Sequence, residues 1–584
     1  MIRKKRTVWR RLWPFLRPYG TRLGLLTALL VVNNLLTLCI PMLSGWAVGA
    51  VGTEPGAVDF AAVGRNCAGM LACCAGASGL NYLISSRLIR LAQSVSYDLR
   101  RAAFDRLSEL PVEYFDTHPA GDLISRICYD VDTVNATLST DLLQIATSFL
   151  TVGGSFIMLL LLSPRLSLVF FVTVPLSVVL TRFQMRRIQP LYRRRSKALG
   201  ALNGFAEERM GCRQAMRVYG VEEADLKQFT AFNGSASQAY YEADRASVAL
   251  GPSVNFINNL SLAAISVFGA LLYLQGGLPL SALASFVLFS RKFSGPIREA
   301  ADLLGELQGS VAAAERVLEL IAQPAEPEDS PEAAECEHLR GDIRFAHVWF
   351  GYDPQKPVLR DFTAHIPAGS LVAVVGSTGA GKTTLVSLLL RFYTPQQGTI
   401  TIDDVPIGQY RRDSLRRRLA LVMQDTWLFG GTIAENIAYG APGATREEIV
   451  QAARAARIHR YIMSLPEGYD TVLADEGAGV SKGQRQLMAI ARCFLTDADI
   501  VILDEATSNV DTETEGAVSQ AMAELRRGRT CFVIAHRLAT IRGADQILVL
   551  ENGAVAESGT HETLLRQNGT YAALYAAQWA REDL

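Results

Sequence analysis

The stretch LVAVVGSTGAGKTTLVSLLL, residues 371–390, places an apolar run before a glycine-rich loop and a second apolar segment after it. The spacing GxxxxGKT runs from Gly376 to Thr383. Glycines let backbone N–H groups wrap a phosphate, and the first turn of a following helix leaves N–H groups free to bind an anion. The stretch therefore predicts a strand, a phosphate-binding loop and a helix in an α/β domain that binds a nucleotide.

The polar side chains of this loop fit a nucleotide together with its metal ion. Lys382 is predicted to reach the β- and γ-phosphates, and the Thr383 hydroxyl is predicted to bind Mg²⁺. The predicted nucleotide-binding residues of the loop are Gly376, Ser377, Thr378, Gly379, Ala380, Gly381, Lys382, Thr383 and Thr384.

A second apolar strand, in IVILDEAT at 500–507, ends in two acidic residues. Asp504 is placed to hold Mg²⁺ through its coordination shell, and Glu505 is placed to polarise a water for attack on the γ-phosphate. The alternative is that both carboxylates only cap the end of a strand. The phosphate loop in the same half of the chain favours the catalytic interpretation.

The other half of the chain is dominated by long runs without a charged residue. A membrane-spanning helix needs about 20 apolar residues, and soluble cores rarely contain uncharged stretches of this length. The last run is interrupted by QGG at 275–277 and fits two spans, so we predict six transmembrane helices. The runs cover residues 23–53, 66–86, 142–164, 166–181 and 246–290.

Lysine and arginine predict the orientation of these helices. They are concentrated in the N-terminal MIRKKRTVWRRLW and in the long segments 87–141 and 182–245. Because positive segments stay in the cytoplasm, these three regions are predicted to be cytoplasmic, and six spans return the nucleotide domain to the same side. We therefore predict a multi-pass protein of the cell membrane, inner or plasma, with its N-terminus and nucleotide domain in the cytoplasm.

The pattern divides the chain into four parts. Both long cytoplasmic segments are too long for loops, and they predict membrane helices that continue into the cytoplasm and reverse near 111–118 and 219–228. The nine cysteines, an odd number without zinc-finger spacing, are predicted to be free thiols. The predicted parts are an amphipathic elbow at 1–22, the membrane domain at 23–323, a Pro- and Glu-rich linker at 324–338 and the nucleotide domain at 339–584.

The motifs of the nucleotide domain, taken in order, resemble those of ATP-binding cassette (ABC) transporters, and six spans before one such domain resemble a half-transporter of the exporter type. The resemblance covers nearly the whole chain. It implies a polytopic α-helical membrane domain followed by an α/β P-loop ATPase domain of the ABC type. The matching residues beyond the phosphate loop are Tyr352 in WFGYDP, Gln424 in VMQD, VSKGQ at 480–484, SNVD at 508–511 and His536 in VIAHRL.

The resemblance implies a role for each of these residues. Tyr352 would stack on adenine, Gln424 would sense Mg²⁺ and the attacking water, and His536 would contact the γ-phosphate. Lys382, Gln424, Glu505 and His536 would form the catalytic set, and Thr383, Gln424 and Asp504 would bind the metal. In the family, two domains face each other head to tail, so Ser481, Gly483 and Gln484 would bind the γ-phosphate held by a partner.

Departures from the family pattern are few. Lys482 stands where the signature usually has glycine, and Asn509 and Val510 replace the commoner Ala-Leu of the interface loop. Taken alone, Ser481 also fits an ordinary helix N-cap.

The resemblance predicts ATP-driven export of a hydrophobic or amphiphilic substrate, a drug or a lipid, by alternating access. Few ionisable residues lie in the predicted spans, which argues against an ion pathway. Several asparagines fit either a cavity lining or hydrogen bonds between helices. They are Asn33, Asn34, Asn81, Asn255, Asn258 and Asn259.

The predicted partners are the lipid bilayer, the substrate and a second half-transporter, with no nucleic acid. That half-transporter is either an identical chain or a different one, and TSNVDTETE at 507–515 resembles the catalytic member of heterodimeric multidrug exporters. Two further alternatives are an importer built on the exporter fold, as in some siderophore systems, and a regulatory subunit that lends Ser481 to its partner.

Overall fold

We describe a computed structural model of the chain, which covers residues 2–52, 58–423, 426–473, 479–504, 512–534 and 541–578; within these, the side chains of 2–7, 9, 250, 293–306, 308, 512–513 and 578 are not described. The chain forms two compact units. The first comprises Met1–Ser108 and Ala120–Gln323, and the second comprises Glu109–Pro119 and Pro324–Leu584.

The described part of the first unit is built from helices joined by short connections. Helix α5 contains two π-turns, and α10 is one unbroken helix that includes the amphipathic segment 312–323 almost to its end. The helices are α1 (Ile2–Leu16), α2 (Gly20–Gly49), α3 (Phe60–Glu109), α5 (Ala120–Leu162), α6 (Pro164–Gly211), α7 (Arg213–Tyr219), α8 (Glu222–Val248), α9 (Leu250–Leu274) and α10 (Leu280–Ile321), while α4 (Val112–Thr117) belongs to the second unit.

Length and composition make five stretches of the described chain suitable for crossing a membrane. They run through α2, α3, α5, α6 and the pair α8–α9, and a further long helix, α10, follows them. Much of their apolar surface is exposed in the single chain, as expected for helices whose solvent is lipid.

Two apolar clusters hold the helices of this unit together. In the first, Val8 and Leu12 of α1 pack with Val95 of α3 and with Val317 of α10. The second joins α2, α5, α6, α9 and α10, and its buried members are Leu38, Leu159, Leu166, Phe170, Ile265, Leu278, Phe286 and Phe289. Asn34 Nδ2 donates a hydrogen bond to Thr151 Oγ1 at 2.7 Å, so this asparagine joins two helices.

The second unit is built on a six-stranded sheet in the order β12-β11-β3-β10-β9-β6, parallel except for β12. Its central strands are buried on both faces, which is why they are almost continuously apolar. These strands are β3 (Leu371–Gly376), β6 (Leu419–Val422), β9 (Ile500–Asp504), β10 (Thr530–Ile534), β11 (Gln546–Glu551) and β12 (Ala554–Gly559).

An antiparallel sheet in the order β2-β1-β4-β5 and a two-stranded sheet β7-β8 complete the strands. Their bounds are β1 (Ile343–Phe350), β2 (Leu359–Ile366), β4 (Gln397–Ile402), β5 (Val405–Pro406), β7 (Gly431–Thr432) and β8 (Val472–Leu473). The helices are α11 (Lys382–Leu389), α12 (Arg412–Arg417), α13 (Ile433–Ala438), α14 (Arg446–Ala455), α15 (His459–Ser464), α16 (Lys482–Leu495), α17 (Thr512–Leu525), α18 (His561–Gln567) and α19 (Thr570–Gln578).

The Pro- and Glu-rich segment that precedes β1 is tied to the second unit by ion pairs. Glu326 pairs with Arg416 at 2.8 Å, and Asp329 pairs with Arg391 at 3.2 Å. Burial opposes ionisation of Asp329, but the backbone N–H of Arg412 and the nearby guanidinium groups hold the pKa of its carboxyl below the ordinary value. The segment predicted as a linker is therefore ordered along the surface of this unit.

Candidate nucleotide site

The phosphate loop connects β3 to α11, as the sequence predicts. Two of its glycines occupy places that a side chain cannot take. A Cβ added to Gly376 would lie 2.5 Å from the carbonyl oxygen of Leu550. Gly381 has φ of +104°, and a Cβ added there would lie 2.7 Å from the Leu359 side chain. Gly379 has φ of +84° and open space around it. The backbone therefore curves around an accessible hollow at the start of α11, which fits a phosphate.

Lys382 is the first residue of α11 and is buried. Its ammonium donates hydrogen bonds to the carbonyl oxygens of Gly376 at 2.6 Å and Ser377 at 3.2 Å. The two bonds hold the positive charge over the loop that would receive the phosphates. The two threonines that follow differ in burial, because Thr383 is exposed and Thr384 is buried. The Thr384 hydroxyl lies 3.3 Å from the Tyr352 hydroxyl.

Asp504 is the last residue of β9, and β9 is separated from β3 by β10 alone. All three strands are parallel, so their carboxyl ends lie at one edge of the sheet, together with the phosphate loop. The described residues contain no group of three or more His, Cys, Asp or Glu that could hold a metal by themselves. A hydroxyl from Thr383 and a carboxylate from Asp504 fit Mg²⁺, which binds few protein oxygens and takes the rest from phosphate and water.

Tyr352 lies in an aromatic cluster that follows β1. Its ring meets Phe350 edge-on at 5.2 Å and Tyr393 edge-on at 5.1 Å, while about half of the side chain is exposed. The exposed half leaves part of the ring surface available for stacking. Tyr352 is therefore held in place and can receive a planar base.

Tyr393 connects this cluster to α4, the short helix at the first predicted reversal. Its hydroxyl donates a hydrogen bond to a carboxylate oxygen of Asp116. Burial, together with this bond to an anion, raises the pKa of Tyr393. Sequence motifs do not reveal the pairing of Tyr393 with Asp116, because the contact joins positions far apart in the chain.

Ser481 is the N-cap of α16 in a capping box. Its hydroxyl accepts a hydrogen bond from the Gln484 N–H at 3.2 Å, and its own N–H donates to Gln484 Oε1 at 3.0 Å. Ser481 is exposed, Lys482 is half-buried and Gly483 is buried. The ordinary capping role is therefore present, and the exposed helix end remains open to an anion.

Part of the predicted site falls outside the described residues. Gln424, Glu505 and His536 lie there, as does the SNVD stretch at 508–511. The described part brings Lys382, Thr383 and Asp504 to one edge of the sheet, with Tyr352 against Thr384.

Two family models match the chain. Residues 23–297 match the model described as ABC transporter transmembrane region, and residues 359–508 match the model described as ABC transporter. A fatty acid ABC transporter ATP-binding/permease protein of Mycobacterium bovis is 44% identical over 88% of this chain and 81% of the relative. The chain belongs to the ABC transporter family.

Further comparisons place this transporter among exporter-type members of the family. An ATP-dependent lipid A-core flippase of Chromohalobacter salexigens is 36% identical over 84% of this chain and 85% of the relative. The solved structure of a bacterial Atm1-family ABC exporter with ATP bound has a TM-score of 0.79 and 28% identity, covering 97% of this chain and 99% of that one. The predicted helical membrane domain followed by an ABC-type ATPase domain is confirmed, and the protein is an ATPase-coupled transporter that binds ATP.

Proposed function

We propose that this transporter uses ATP to export a hydrophobic or amphiphilic compound, a drug or a lipid, by alternating access as a dimer of half-transporters. The observation that carries the proposal is the presence of two anion-binding helix ends in one ATPase domain, at Lys382 and at Ser481. A single nucleotide occupies the phosphate loop. The second helix end is then free to bind the γ-phosphate of a nucleotide held by another chain, through Ser481, Gly483 and Gln484.

Each residue of the proposed site has a defined task. The loop backbone at 376–384 and the Lys382 ammonium bind the phosphates, and Tyr352 stacks on the base. Mg²⁺, held by Thr383, Gln424 and Asp504, would neutralise charge on the phosphates. Glu505 accepts the proton of the attacking water, and His536 orients the γ-phosphate.

Binding of two nucleotides would draw two ATPase domains together. Converting a two-state equilibrium from 1:99 to 99:1 requires roughly 5.5 kcal/mol of differential binding. Hydrogen bonds to charged groups contribute about 1.5–3 kcal/mol each, so a few bonds at each shared γ-phosphate are sufficient. The contact between Tyr393 and Asp116 gives closure a route to α4 and thus to the helices that precede and follow it.

The proposed location is the cell membrane, inner or plasma, with the ATPase domain in the cytoplasm. The basic N-terminus and the arginine-rich segments 87–141 and 182–245 support this orientation. Relatives named for fatty acids and for lipid A-core support a lipid-like substrate, because both are amphiphiles.

The test is ATP hydrolysis by the purified chain alone, reconstituted in lipid, with its molecular mass measured in parallel. We expect hydrolysis from a dimer, and Glu505→Gln should lower turnover by about 100-fold or more while ATP still binds, since a general base contributes that much. Substantial hydrolysis by the variant would contradict the role of Glu505.

The mass measurement distinguishes the possible partners. An active dimer of this chain alone indicates a homodimer. A folded chain that hydrolyses ATP only after a second half-transporter is added indicates a heterodimer. If that hydrolysis requires the general-base glutamate of the second half-transporter and not Glu505, this chain is a regulatory subunit. Transport assays in vesicles of known sidedness separate export from import.

A further inference from the structure

Two cations lie side by side in the membrane section of α10. Arg291 and Lys292 follow the first residue of the helix, Leu280, by about 18 Å, because an α-helix rises 1.5 Å per residue. The Lys292 ammonium donates a hydrogen bond to the carbonyl oxygen of Thr37 at 2.7 Å. Thr37 lies near the middle of the uncharged run 23–53 of α2. Both measures place the pair deep in a hydrocarbon core about 30 Å thick.

The packing of α10 determines where each cation points. A Cβ on Gly45 of α2 would overlap both Ser281 and Ser285, so this face of α10 lies against α2. Lys292 shares that face, since positions 281, 285 and 292 fall within about 40° of one another on a helix. Phe289 is buried in the apolar cluster, and Arg291, on roughly the opposite side from it, is exposed.

The predicted spans offer no acidic residue that could neutralise the pair within the described part of the chain. The runs 23–53, 66–86, 142–164, 166–181 and 246–290 contain no Asp or Glu. Within α10 the first acidic residue after Lys292 is Glu299, about two turns away. Among the side chains that the structure describes, none forms an ion pair with Arg291 or Lys292.

Unneutralised cations in a bilayer are costly, and in membrane proteins they face a water-filled cavity or a substrate pathway. Arg291 has five N–H donors in a planar fork that matches an anionic oxygen pair. The Lys292 ammonium has three N–H donors, and its hydrogen bond to Thr37 uses one of them. About one turn from Thr37 on α2, the Oδ1 atom of Asn33 is buried and has no hydrogen-bond partner within the described part of the chain.

We propose that Arg291 and Lys292 form a substrate site that binds the anionic head group of a single-chain amphiphile, a carboxylate in the first instance. This inference rests on the proposed function and specifies its substrate class. The head group neutralises both cations, with Arg291 as the principal ligand on the open face of α10 and Lys292 held in position by Thr37. The acyl chain lies along the apolar surface that surrounds the pair.

The test is direct binding to the full-length chain in nanodiscs of neutral lipid. Oleate, oleyl alcohol and oleylamine share one tail and differ only in head group, and each is measured by displacement of a fluorescent carboxylate-bearing amphiphile. We expect oleate to bind about tenfold or more tightly than oleyl alcohol, because a charge-assisted bidentate contact is lost with the alcohol. Oleylamine should bind most weakly.

The variant Arg291→Gln combined with Lys292→Gln should lower oleate affinity about tenfold and leave oleyl alcohol within about twofold. Arg291→Lys should retain part of the preference for oleate over oleyl alcohol, since lysine keeps the positive charge and lacks the planar, bidentate guanidinium group. Arg165→Gln, an exposed arginine at the start of α6, is the matched control and should change neither affinity.

Equal affinity of the native chain for oleate and oleyl alcohol, or a head-group preference that survives in the double variant, would overturn the proposal. The binding measurement is independent of ATP hydrolysis. A charge-dependent binding site in a chain without transport activity supports this inference and contradicts the proposed function. ATP-driven transport without head-group preference supports the proposed function and contradicts this inference.

Discussion

The two predicted reversals, at α4 and between α7 and α8, differ in what covers them. The first, α4, has its Tyr114 only 9% exposed, with the His118 ring stacked on it at a centroid distance of 4.1 Å. Asp116 of the same helix accepts a hydrogen bond from Tyr393. The second reversal, between α7 and α8, turns at Gly220 and leaves Val218 81% exposed and Tyr219 78% exposed.

This difference indicates that the two reversals serve different partners. The first is bound by the ATPase unit of its own chain. The second presents a patch, Val218 with Tyr219, that is apolar and exposed in a segment predicted to be cytoplasmic, where lipid cannot cover it. Exposed apolar patches of this kind mark interaction sites. In the proposed dimer, we predict that the ATPase domain of the second half-transporter covers this patch.

The largest effect is expected from disrupting the second reversal. The double substitution Val218→Asp with Tyr219→Asp places two charges in the proposed contact. We expect substrate-stimulated ATP hydrolysis to fall by about tenfold or more, because burying unpaired charge costs more than the 1.4 kcal/mol that corresponds to a factor of ten. ATP binding by the purified chain should be unchanged, since the phosphate loop belongs to the other unit.

The control is Phe104→Asp, which alters an aromatic side chain of α3 that is also largely exposed. It should reduce stimulated hydrolysis much less than the double substitution does. Full stimulation in the chain with both aspartates would show that the second reversal contacts nothing needed for coupling.

A smaller effect is expected from weakening the first reversal. Tyr393→Phe removes the hydroxyl that is bonded to Asp116 and keeps the ring that packs against Tyr352. The bond is partly exposed to solvent, so we expect a loss near 1 kcal/mol, at the lower end for charge-assisted bonds, and a few-fold reduction in stimulated hydrolysis. Adenine binding should persist.

A double-mutant cycle sharpens this measurement. If the bond transmits nucleotide binding to α4, Tyr393→Phe and Asp116→Asn should each weaken coupling, and together they should be no worse than either alone. Strictly additive losses would indicate that the two residues act separately and that the hydroxyl does not report on α4.

The sequence predicted those features that depend on local spacing. The loop at Gly376–Thr383 lies between a buried strand and a helix, and Ser481 caps α16. Glycine chemistry, capping and proline placement are encoded within a few residues, so a single sequence reveals them.

Contacts between distant residues were not predictable. The uncharged run that predicts the last two spans stops at residue 290, and α10 continues unbroken through Arg291 and Lys292. The partner that accommodates Lys292 is a backbone carbonyl at Thr37, and a carbonyl has no sequence signature. Spans counted from uncharged runs therefore leave out the pair on which the substrate proposal depends. Similarly, the bond between Tyr393 and Asp116 depends on how α4 docks.

The smallest effect concerns the segment that supports the first reversal. The Glu326 N–H donates to the carbonyl of Glu109, immediately before α4, and Asp329 anchors the same segment to Arg391 and Arg412. Because the pKa of Asp329 is lower in the folded chain than in the unfolded one, its contribution to stability is complete above the unfolded pKa of about 3.9. That contribution is lost as the pH falls towards the folded value.

Asp329→Asn should therefore lower the free energy of unfolding of the ATPase unit by about 1 kcal/mol at neutral pH. The difference between variant and native chain should vanish under acid, below the lowered pKa. Thermal unfolding at neutral and acidic pH measures this, with Glu328→Gln as a neighbouring carboxylate for which we expect no comparable loss. A difference that persists unchanged at low pH would mean that Asp329 acts through packing, and that the support of α4 does not depend on its charge.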